Sequence, residues 1–368
     1  MSVAWSWGFE IGASSSVYVG SGWTISRTAS VLTDVLSSAR AVPLPASGIG
    51  GGIYSCKCSG SQTIRTPVLS ATPTSLTVTK GWVSFFLYKA AENIDNYDSA
   101  NSLFHMYNDV GNTVLTVVPT SDSSSTTYKL LVSGTLVGTT STSFSTNTWY
   151  HLAVKFDIST ATASAGLWVD GASEIAYSPI VAPATKVGSL SFRGGKSSVP
   201  SGDCSVYYDN IVLYDSLTDT GNTKKYIQGF RPNGDVTTTA WGQSVGTLVY
   251  PCALTASWSA KFISNSIVNS PLVFDIQDLS SVSSSFNPAN IDSVQAITMT
   301  SRNTNIFSAQ TKIGTNVNSN YITGPATPVT SSAVIGNFCC VIANINPEDS
   351  GSWTALDINN IRTAHVAF

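Results

Sequence analysis

Charged side chains are scarce in this chain of 368 residues. Asp, Glu, Lys and Arg make up 11% of the sequence, whereas soluble proteins average about 25%. The 18 basic and 21 acidic residues give a formal net charge of -3, and no cluster of Lys and Arg forms the basic patch that nucleic acids require. We therefore expect no nucleic-acid binding and a surface whose polarity comes mainly from Ser and Thr.

Long apolar runs are also missing. No uninterrupted stretch reaches the roughly 20 apolar residues that a membrane-spanning helix needs, although hydrophobic residues supply 42% of the chain. The opening segment MSVAWSWGFEIG has neither a basic leader nor a continuous apolar core. We expect a soluble chain made in the cytoplasm without processing, with no membrane insertion and with a real hydrophobic core.

The six cysteines are too few and too scattered for the disulfide framework of a small secreted domain. Cys56 and Cys58 could begin a zinc site, but no second pair with ligand spacing accompanies them. Cys339 and Cys340 are adjacent, so they point to opposite faces if they lie in a strand. We predict free, buried thiols and no metal. The lack of a leader, of paired cysteines and of any Asn-x-Ser/Thr acceptor also disfavours a secreted animal adhesion domain.

Catalytic constellations are not evident either. A nucleophilic triad needs a base, and the three histidines are His105, His151 and His365, without a Gly-x-Ser-x-Gly elbow. Asp170 and Glu174 lie four residues apart, but the intervening turn places them on two strands, which predicts a solvated hairpin. The glycine run at 50–52 lacks the Lys-Ser/Thr and helix start of a phosphate loop, so no nucleotide cofactor is expected.

The apolar periodicity is that of strands. Short runs rich in Val, Thr, Tyr, Phe and Trp recur between Gly, Ser, Asn and Asp breakers, which predicts an all-β chain. The segment GWVSFFLYKA at 81–90 is apolar on both faces, so it belongs in the middle of a sheet. Asp170-Gly171 predicts a hairpin over 166–177.

A cluster of Pro, Asn and Gly in FRPNGD at 230–235 marks the expected domain boundary. We predict an antiparallel jelly-roll β-sandwich over 1–230 and a second, smaller β-rich domain over 236–368. Polar stretches at about 280–290 and 320–332 are expected to be long loops. The apolar residues of the final segment, 353–368, predict that it packs against its own domain rather than against a partner.

Three segments resemble the laminin-G-like and concanavalin A-like jelly rolls. A Trp-x-His-hydrophobic-Ala strand at 149–156 precedes a strand at 166–171 that ends in Asp-Gly. The segment YYDNIVLYD at 207–215 is similar to the closing strand of that fold, which returns beside the first strand, here WSWGFEIG. The resemblance covers roughly residues 1–228. It implies the sandwich fold but no single function, because lectins, glycosidases and structural domains all use it.

The same resemblance directs attention to particular residues. Glucanases of this fold carry a Glu-x-Asp-x-(x)-Glu strand, and none of Glu10, Glu92, Glu174 and Glu348 begins that pattern. His151 matches a structural histidine, which we expect to be hydrogen-bonded. A calcium ion at the sandwich rim would draw on aspartates, and the candidates are Asp157, Asp170, Asp203 and Asp209. Turn and strand-end solvation is the preferred explanation of these residues, because no dense run of Asp and Asn ligands marks a site.

A second resemblance is to bacteriophage virion proteins that place such a jelly roll before a smaller β domain. The features it shares with them lie in a fixed order: Pro232-Asn233-Gly234-Asp235, Thr239-Ala240-Trp241, Phe274-Asp275-Ile276, Ile291-Asp292-Ser293-Val294-Gln295-Ala296, Pro347-Glu348-Asp349-Ser350-Gly351-Ser352-Trp353-Thr354 and Ile358-Asn359. This resemblance implies that the second domain serves virion assembly.

We therefore predict a non-enzymatic phage virion protein on the exterior of the head or tail, without catalytic, cofactor-binding or metal residues. Its partners would be other virion structural proteins and copies of itself, because symmetry repeats one interface many times. It would assemble in the bacterial cytoplasm and reside in the virion. The alternative is a carbohydrate-binding adhesion domain that attaches the particle to host-surface glycan. Exposed, coplanar aromatic rings beside polar groups would favour that alternative, although packing also explains the nine tryptophans.

Overall fold

A computed structural model gives the architecture. It describes residues 3–7, 24–26, 36–37, 55–59, 63–65, 77–90, 102–120, 125–194, 205–218, 221–227, 230, 232–237, 241–243, 263–265, 271–276, 291–300, 308–315, 321–324, 327–328 and 337–367. The chain divides into two compact units, Met1–Val42 with Gly51–Ile227 and Pro43–Gly50 with Gln228–Phe368. Both units are built from antiparallel strands, as the sequence predicts. Within the described residues, no helix is long and apolar enough to span a membrane.

The first unit contains seventeen strands in the described residues. They are β1 Val3–Trp7, β2 Thr24–Ser26, β3 Leu36–Ser37, β4 Ser55–Ser59, β5 Thr63–Arg65, β6 Lys80–Lys89, β7 Phe104–Asn108, β8 Thr113–Pro119, β9 Ser125–Thr126, β10 Tyr128–Val132, β11 Thr135–Thr139, β12 Phe144–Ser145, β13 Trp149–Asp157, β14 Thr162–Val169, β15 Ala172–Val181, β16 Val187–Arg193 and β17 Ser205–Tyr214.

Two large sheets and one small ribbon accommodate these strands. The eight-stranded sheet has the order β15-β14-β13-β6-β17-β4-β3, and β1 also pairs with β17. The seven-stranded sheet has the order β11-β10-β8-β7-β16-β5-β2, while β9 and β12 form a separate pair. Strand β6 therefore lies in mid-sheet, as its two apolar faces predict. The pairing of β1 with β17 confirms that the closing strand returns beside the first.

Aromatic rings fill the space between the two sheets. The Phe85 ring on β6 lies 5.1 Å from that of Phe104 on β7 and 5.4 Å from that of Phe192 on β16. The ring of Tyr208 on β17 lies 5.1 Å from Phe192, and its hydroxyl donates to the carbonyl of Arg193 at 2.6 Å. Complete burial of one such ring contributes about 1.5–3 kcal/mol, so this cluster joins the sheets into a sandwich.

The predicted hairpin over 166–177 is confirmed. Strands β14 and β15 meet at Asp170 and Gly171, whose φ angles are +50° and +89°. An Asp-Gly pair suits such a turn because Asp tolerates, and Gly freely adopts, the left-handed conformation that tight hairpin turns require.

The second unit has its own strands and one short helix in the described residues. They are β18 Pro232–Thr237, β19 Trp241–Gln243, β20 Ile263–Asn265, β21 Pro271–Ile276, β22 Val294–Thr300, β23 Ser308–Thr315, β24 Tyr321–Thr323, β25 Thr327–Pro328, β26 Asn337–Ala343, α1 Ala355–Asn359 and β27 Ile361–Ala367. The main sheet has the order β18-β21-β27-β23-β24, with β25 also paired to β23; β19 pairs with β20, and β22 pairs with β26.

The Pro-Asn-Gly cluster expected to mark the domain boundary lies near the start of the second unit and forms β18, an edge strand, where a proline at the first position costs no ladder hydrogen bond. One sequence expectation for this unit is wrong in detail. The stretch 320–332, expected to be a loop, contains the short strands β24 and β25, which pair with β23. The other expected loop, 280–290, lies outside the described residues.

The final segment is tied into its own unit, as predicted. Trp353 is buried, and its indole Nε1 donates to the carbonyl of Ala343 at 2.9 Å. Thr354 and Asp357 form a reciprocal capping box that starts α1. Strand β27 then pairs with both β21 and β23, so it occupies the interior of the main sheet.

Deleting residues 353–368 is expected to unfold the second unit, because it removes an interior strand and a buried tryptophan. The first unit, which has its own aromatic core, should keep its protease resistance. Limited proteolysis followed by mass spectrometry checks this result. A truncated chain in which residues 228–352 remain protease-resistant would contradict the structural role of the segment.

Candidate functional site

The eight-stranded sheet has a second apolar face that points away from the other sheet. Side chains alternate along β6, and Phe85 points towards the seven-stranded sheet. The side chains of the alternate set therefore point away from it, and all of them are buried: Trp82, Ser84, Phe86 and Tyr88. We call this surface the outer face.

One corner of the outer face carries a cluster of aromatic rings around a lysine. On β13, Lys155 pairs with Trp82 of β6 on one side and with Gly166 of β14 on the other. Its Nζ lies 5.2 Å from the Trp82 ring centroid and 5.1 Å from that of Tyr177 on β15. The Trp168 ring lies 4.7 Å from the Trp82 ring. We call these five residues the Lys155 cluster.

Gly166 provides the space that this cluster occupies. A Cβ at this position would lie 2.9 Å from both the Trp168 ring and the Tyr177 Cα atom. No other residue type fits without displacing one of them. The missing side chain of Gly166 therefore leaves room for the Trp168 ring.

The cluster is accessible to solvent on one side only. Trp82 is 3% exposed, whereas Tyr177 is 37% exposed, more than any other Phe, Tyr or Trp among the described residues. Trp168 and Lys155 are half-buried. Burial and the nearby Asp157 carboxylate raise the pKa of Tyr177, while a hydrogen bond from Ser164 lowers it, and the net effect is upward. The phenol therefore stays neutral and can hydrogen-bond a ligand.

Residues 221–227, which we call the strap, cover the neighbouring part of the outer face. Gly221 approaches the Trp82 ring so closely that an added Cβ would lie 2.4 Å from it. Lys224 pairs with Asp170 at 2.8 Å, the Tyr226 ring lies 5.5 Å from that of Phe86, and the amide of Ile227 donates to Asn210 Oδ1 at 3.0 Å. The strap thus covers Trp82 and the region around Phe86, whereas Trp168 and Tyr177 of the Lys155 cluster remain partly exposed.

His151 lies on the outer face, and its ring does not make the expected hydrogen bonds with any described residue. Its side chain is 1% exposed and its ring lies 5.1 Å from that of Phe86. Neither ring nitrogen has a hydrogen-bond partner among the described residues, because the neighbouring side chains on this face are largely aromatic. Burial lowers the pKa of His151 to about 4; the Asp170 carboxylate opposes this effect and the Lys224 ammonium adds to it.

Acid is expected to destabilise the first unit through His151. The folded-state pKa is below the ordinary 6.5, so the unfolded chain takes up a proton that the folded chain cannot. The free energy of unfolding should fall as the pH is lowered from 6.5 towards 4, by roughly 2–3 kcal/mol from this residue. Urea titrations at pH 7 and pH 4.5 should show a smaller fall in His151→Leu than in the wild type.

Ser84→Ala is the matched control for that comparison. Ser84 is buried on the same face, and its hydroxyl also has no described partner, but it does not titrate. Its replacement should change stability equally at both pH values. Equal pH dependence in the wild type and His151→Leu would contradict the assignment.

The carboxylates of Asp170 and Glu174 bind different partners around the hairpin. Asp170 accepts from the amide of His151 at 3.3 Å besides pairing with Lys224. The sequence predicts that Glu174 is solvated, but its carboxylate accepts hydrogen bonds from the amides and hydroxyls of Ser141 and Thr142. Burial raises the pKa of Glu174, but these four bonds outweigh it and lower the pKa to about 2. Both carboxylates thus fix the hairpin in place.

The candidate calcium ligands do not converge. The Asp157 carboxylate accepts from the amide and hydroxyl of Ser159 at one end of β13, whereas Asp170 lies at the other end. Asp209 is buried and accepts from the amide of Asn210 at 2.7 Å. Asp203 lies outside the described residues. Within the described ranges, no three His, Cys, Asp or Glu side chains come together as a metal site.

The thiols of Cys56 and Cys58 are free and buried, as predicted, with their Sγ atoms 3.9 Å apart. Burial, followed by the neighbouring Cys58 and Asp209, raises the pKa of Cys56 well above its ordinary value. This thiol is therefore inert as a nucleophile. Cys204 and Cys252 lie outside the described residues, and the side chains of Cys339 and Cys340 are not described.

The two remaining histidines lie away from the cluster. His105, on the seven-stranded sheet, stacks on Tyr107 with ring centroids 5.5 Å apart, and burial and the Arg193 charge lower its pKa to about 4. His365 lies on β27 in the second unit, with its ring 5.9 Å from that of Phe274, and burial lowers its pKa to about 4. The ring nitrogens of His365 lie 3.5 Å from the Thr311 hydroxyl and 3.3 Å from the Thr363 hydroxyl.

No protein-family model matches this sequence, and no curated protein matches it. Several solved structures are similar in fold. Domain 4 of AbnA, an extracellular arabinanase from Geobacillus stearothermophilus, solved with arabinotriose, is 14% identical with a TM-score of 0.37, and the match covers 60% of this chain and 98% of that one. The carbohydrate-binding module CBM66 from Bacillus subtilis is 10% identical with a TM-score of 0.28, over 52% and 94% of the two chains.

The receptor-binding domain of botulinum neurotoxin type G is also similar. It is 10% identical with a TM-score of 0.34, over 96% of this chain and 84% of that one. At this level of similarity, the likeness extends to the β-sandwich architecture alone.

Proposed function

We propose that the first unit is a carbohydrate-binding domain and that the Lys155 cluster is its binding surface. The observation that carries this proposal is the half-exposed pair of rings, Trp168 and Tyr177, beside a lysine and a neutral phenol hydroxyl. A pyranose ring has an apolar face of C–H groups and a polar edge of hydroxyls. An aromatic ring bordered by hydrogen-bonding groups complements both parts.

The surroundings of the cluster support this proposal. The buried Trp82 ring supports the Trp168 ring from below. Ser164 lies in the adjacent row of β14 and adds a half-buried hydroxyl beside Tyr177. Rigid rings cost little conformational entropy when they bind, which suits the recognition of an extended glycan surface.

Replacing Trp168 or Tyr177 by Ala is expected to weaken glycan binding at least about tenfold, which corresponds to about 1.4 kcal/mol. A glycan array screen followed by calorimetry with the strongest hit measures the loss. Leu136→Ala is the control, because Leu136 is 52% exposed on the seven-stranded sheet. Absence of any glycan binding, with and without calcium, would contradict the proposal, as would unchanged affinity in both aromatic variants.

We further propose that the protein binds glycan without hydrolysing it. Three carboxylates lie within a few residues of the cluster in sequence, and each has partners: Asp157 accepts hydrogen bonds from Ser159, Asp170 pairs with Lys224, and Glu174 accepts from residues 141–142. Hydrolysis needs one carboxyl group to protonate the leaving oxygen and another to act as base or nucleophile. Release of reducing ends from a bound polysaccharide would overturn this part of the proposal.

We also propose that the chain is a component of a bacteriophage particle, present as copies of itself beside other virion proteins. The support is the ordered set of C-terminal motifs that resemble virion proteins. Several residues of these motifs have structural roles in the second unit: Phe274 and Trp353 are buried, and Asp275 pairs with Arg362 at 2.8 Å. Glycan binding on the first unit would then attach the particle to its host.

Mass spectrometry of purified particles tests this placement. We expect the chain in multiple copies per particle, and antibodies against the first unit should label the particle exterior. Absence of the chain from purified virions would overturn the virion assignment while leaving the glycan-binding proposal to stand on its own measurements.

A further inference from the structure

We infer that the glycan recognised by the Lys155 cluster is acidic and that Lys155 binds its carboxylate. This inference rests on the proposed glycan-binding function and names the chemical class of the ligand. A neutral sugar would use the rings, whereas a uronic-acid sugar would use the rings and the ammonium together.

The first observation is that Lys155 forms no ion pair with any carboxylate of the described residues. Two other lysines near the surface do form ion pairs: Lys186 with Asp109 at 3.2 Å and Lys224 with Asp170 at 2.8 Å. The Lys155 ammonium instead contacts only ring faces in the described part of the chain. Cation–π contacts hold a cation without neutralising it, so its charge remains available to a ligand.

The second observation is that the ammonium is held in place. Its distances of 5.2 and 5.1 Å to the rings of Trp82 and Tyr177 place it between them. A flexible surface lysine loses much side-chain entropy on forming an ion pair, which is why exposed pairs contribute little. An ammonium already positioned by two rings loses less on binding, so a carboxylate gains more from it.

The third observation concerns the direction of approach. On the outer face, Lys155 lies between two cross-strand pairs of β13 and β14. On one side is the pair Asp157 and Ser164, and on the other side is the pair Ala153 and Trp168, called here the Trp168 row. The Asp157 carboxylate would repel an acidic ligand, although the amide and hydroxyl of Ser159 hydrogen-bond to it. The Trp168 row carries no charge. A ligand carboxylate therefore reaches Lys155 from the Trp168 side, with its sugar ring on the indole.

Matched polysaccharides test this inference with the full chain. The probes are polygalacturonate, alginate and hyaluronate, each compared with a carboxyl-reduced form of the same polymer, which keeps the backbone and removes the charge. We expect at least one acidic polymer to bind about tenfold or more tightly than its reduced form. The preference should weaken between about 50 and 500 mM salt, because the ion pair at this partly exposed site is screened.

Two substitutions assign that preference to Lys155. Lys155→Gln should abolish the discrimination between acidic and reduced polymers, and Lys155→Arg, which keeps the charge, should retain most of it. Lys129→Gln is the control, because Lys129 is exposed on the seven-stranded sheet. Thermal unfolding of each variant shows that the fold is kept, and the salt dependence of the wild type is independent of any substitution.

The outcomes separate this inference from the proposed function. Equal binding of acidic and reduced polymers that is lost in Trp168→Ala overturns the acidic-ligand inference but keeps glycan binding. A preference for acidic polymers that survives in Lys155→Gln overturns the role of Lys155. Failure of every acidic and neutral polymer, together with a blank glycan array, overturns both.

Discussion

Burial of both faces of β6 is the constraint on which the first unit depends. One face packs through Phe85 against the rings of the seven-stranded sheet. The other face presents Trp82 and Phe86, which water would contact unless another layer covered them. The strap supplies part of that layer through Gly221 and Tyr226. The structure is therefore a two-sheet sandwich with an additional, partial third layer on the outer face.

The candidate site follows from the limited extent of that third layer. Beneath the strap, the outer face buries polar groups that have no partner among the described residues, including both ring nitrogens of His151. Each such group costs about 1–3 kcal/mol of desolvation, which the surrounding aromatic packing offsets. Beside the strap, the rings of Trp168 and Tyr177 are only partly covered. The same aromatic surface that stabilises the sandwich is thus exposed to a ligand where its cover ends.

The sequence predicts what depends on local chemistry. The apolar residues on both faces of β6 predict that it lies in the middle of a sheet. The Asp170-Gly171 pair predicts a hairpin, and the alternation over 149–157 predicts β13. The sequence does not predict β18, because the Pro and Gly that usually break strands are tolerated at a sheet edge. The Lys155 cluster could not be predicted, since it depends on the register between strands that are distant in sequence. The one sequence feature that could have indicated this cluster is the pair Gly166 and Trp168, which alternate on β14, the strand that pairs with Lys155 on β13.

The hairpin that carries Trp168 and Tyr177 is fixed at several points, and this has a consequence for binding. Its turn is joined to the strap by the Lys224–Asp170 pair, and Glu174 joins β15 to residues 141–142, which precede β12. Because the hydrogen bonds from residues 141–142 lower the pKa of Glu174 to about 2, its carboxylate keeps these contacts over the physiological pH range. Both rings therefore keep their positions before a ligand arrives. A surface that is already formed loses little conformational entropy when a ligand binds to it.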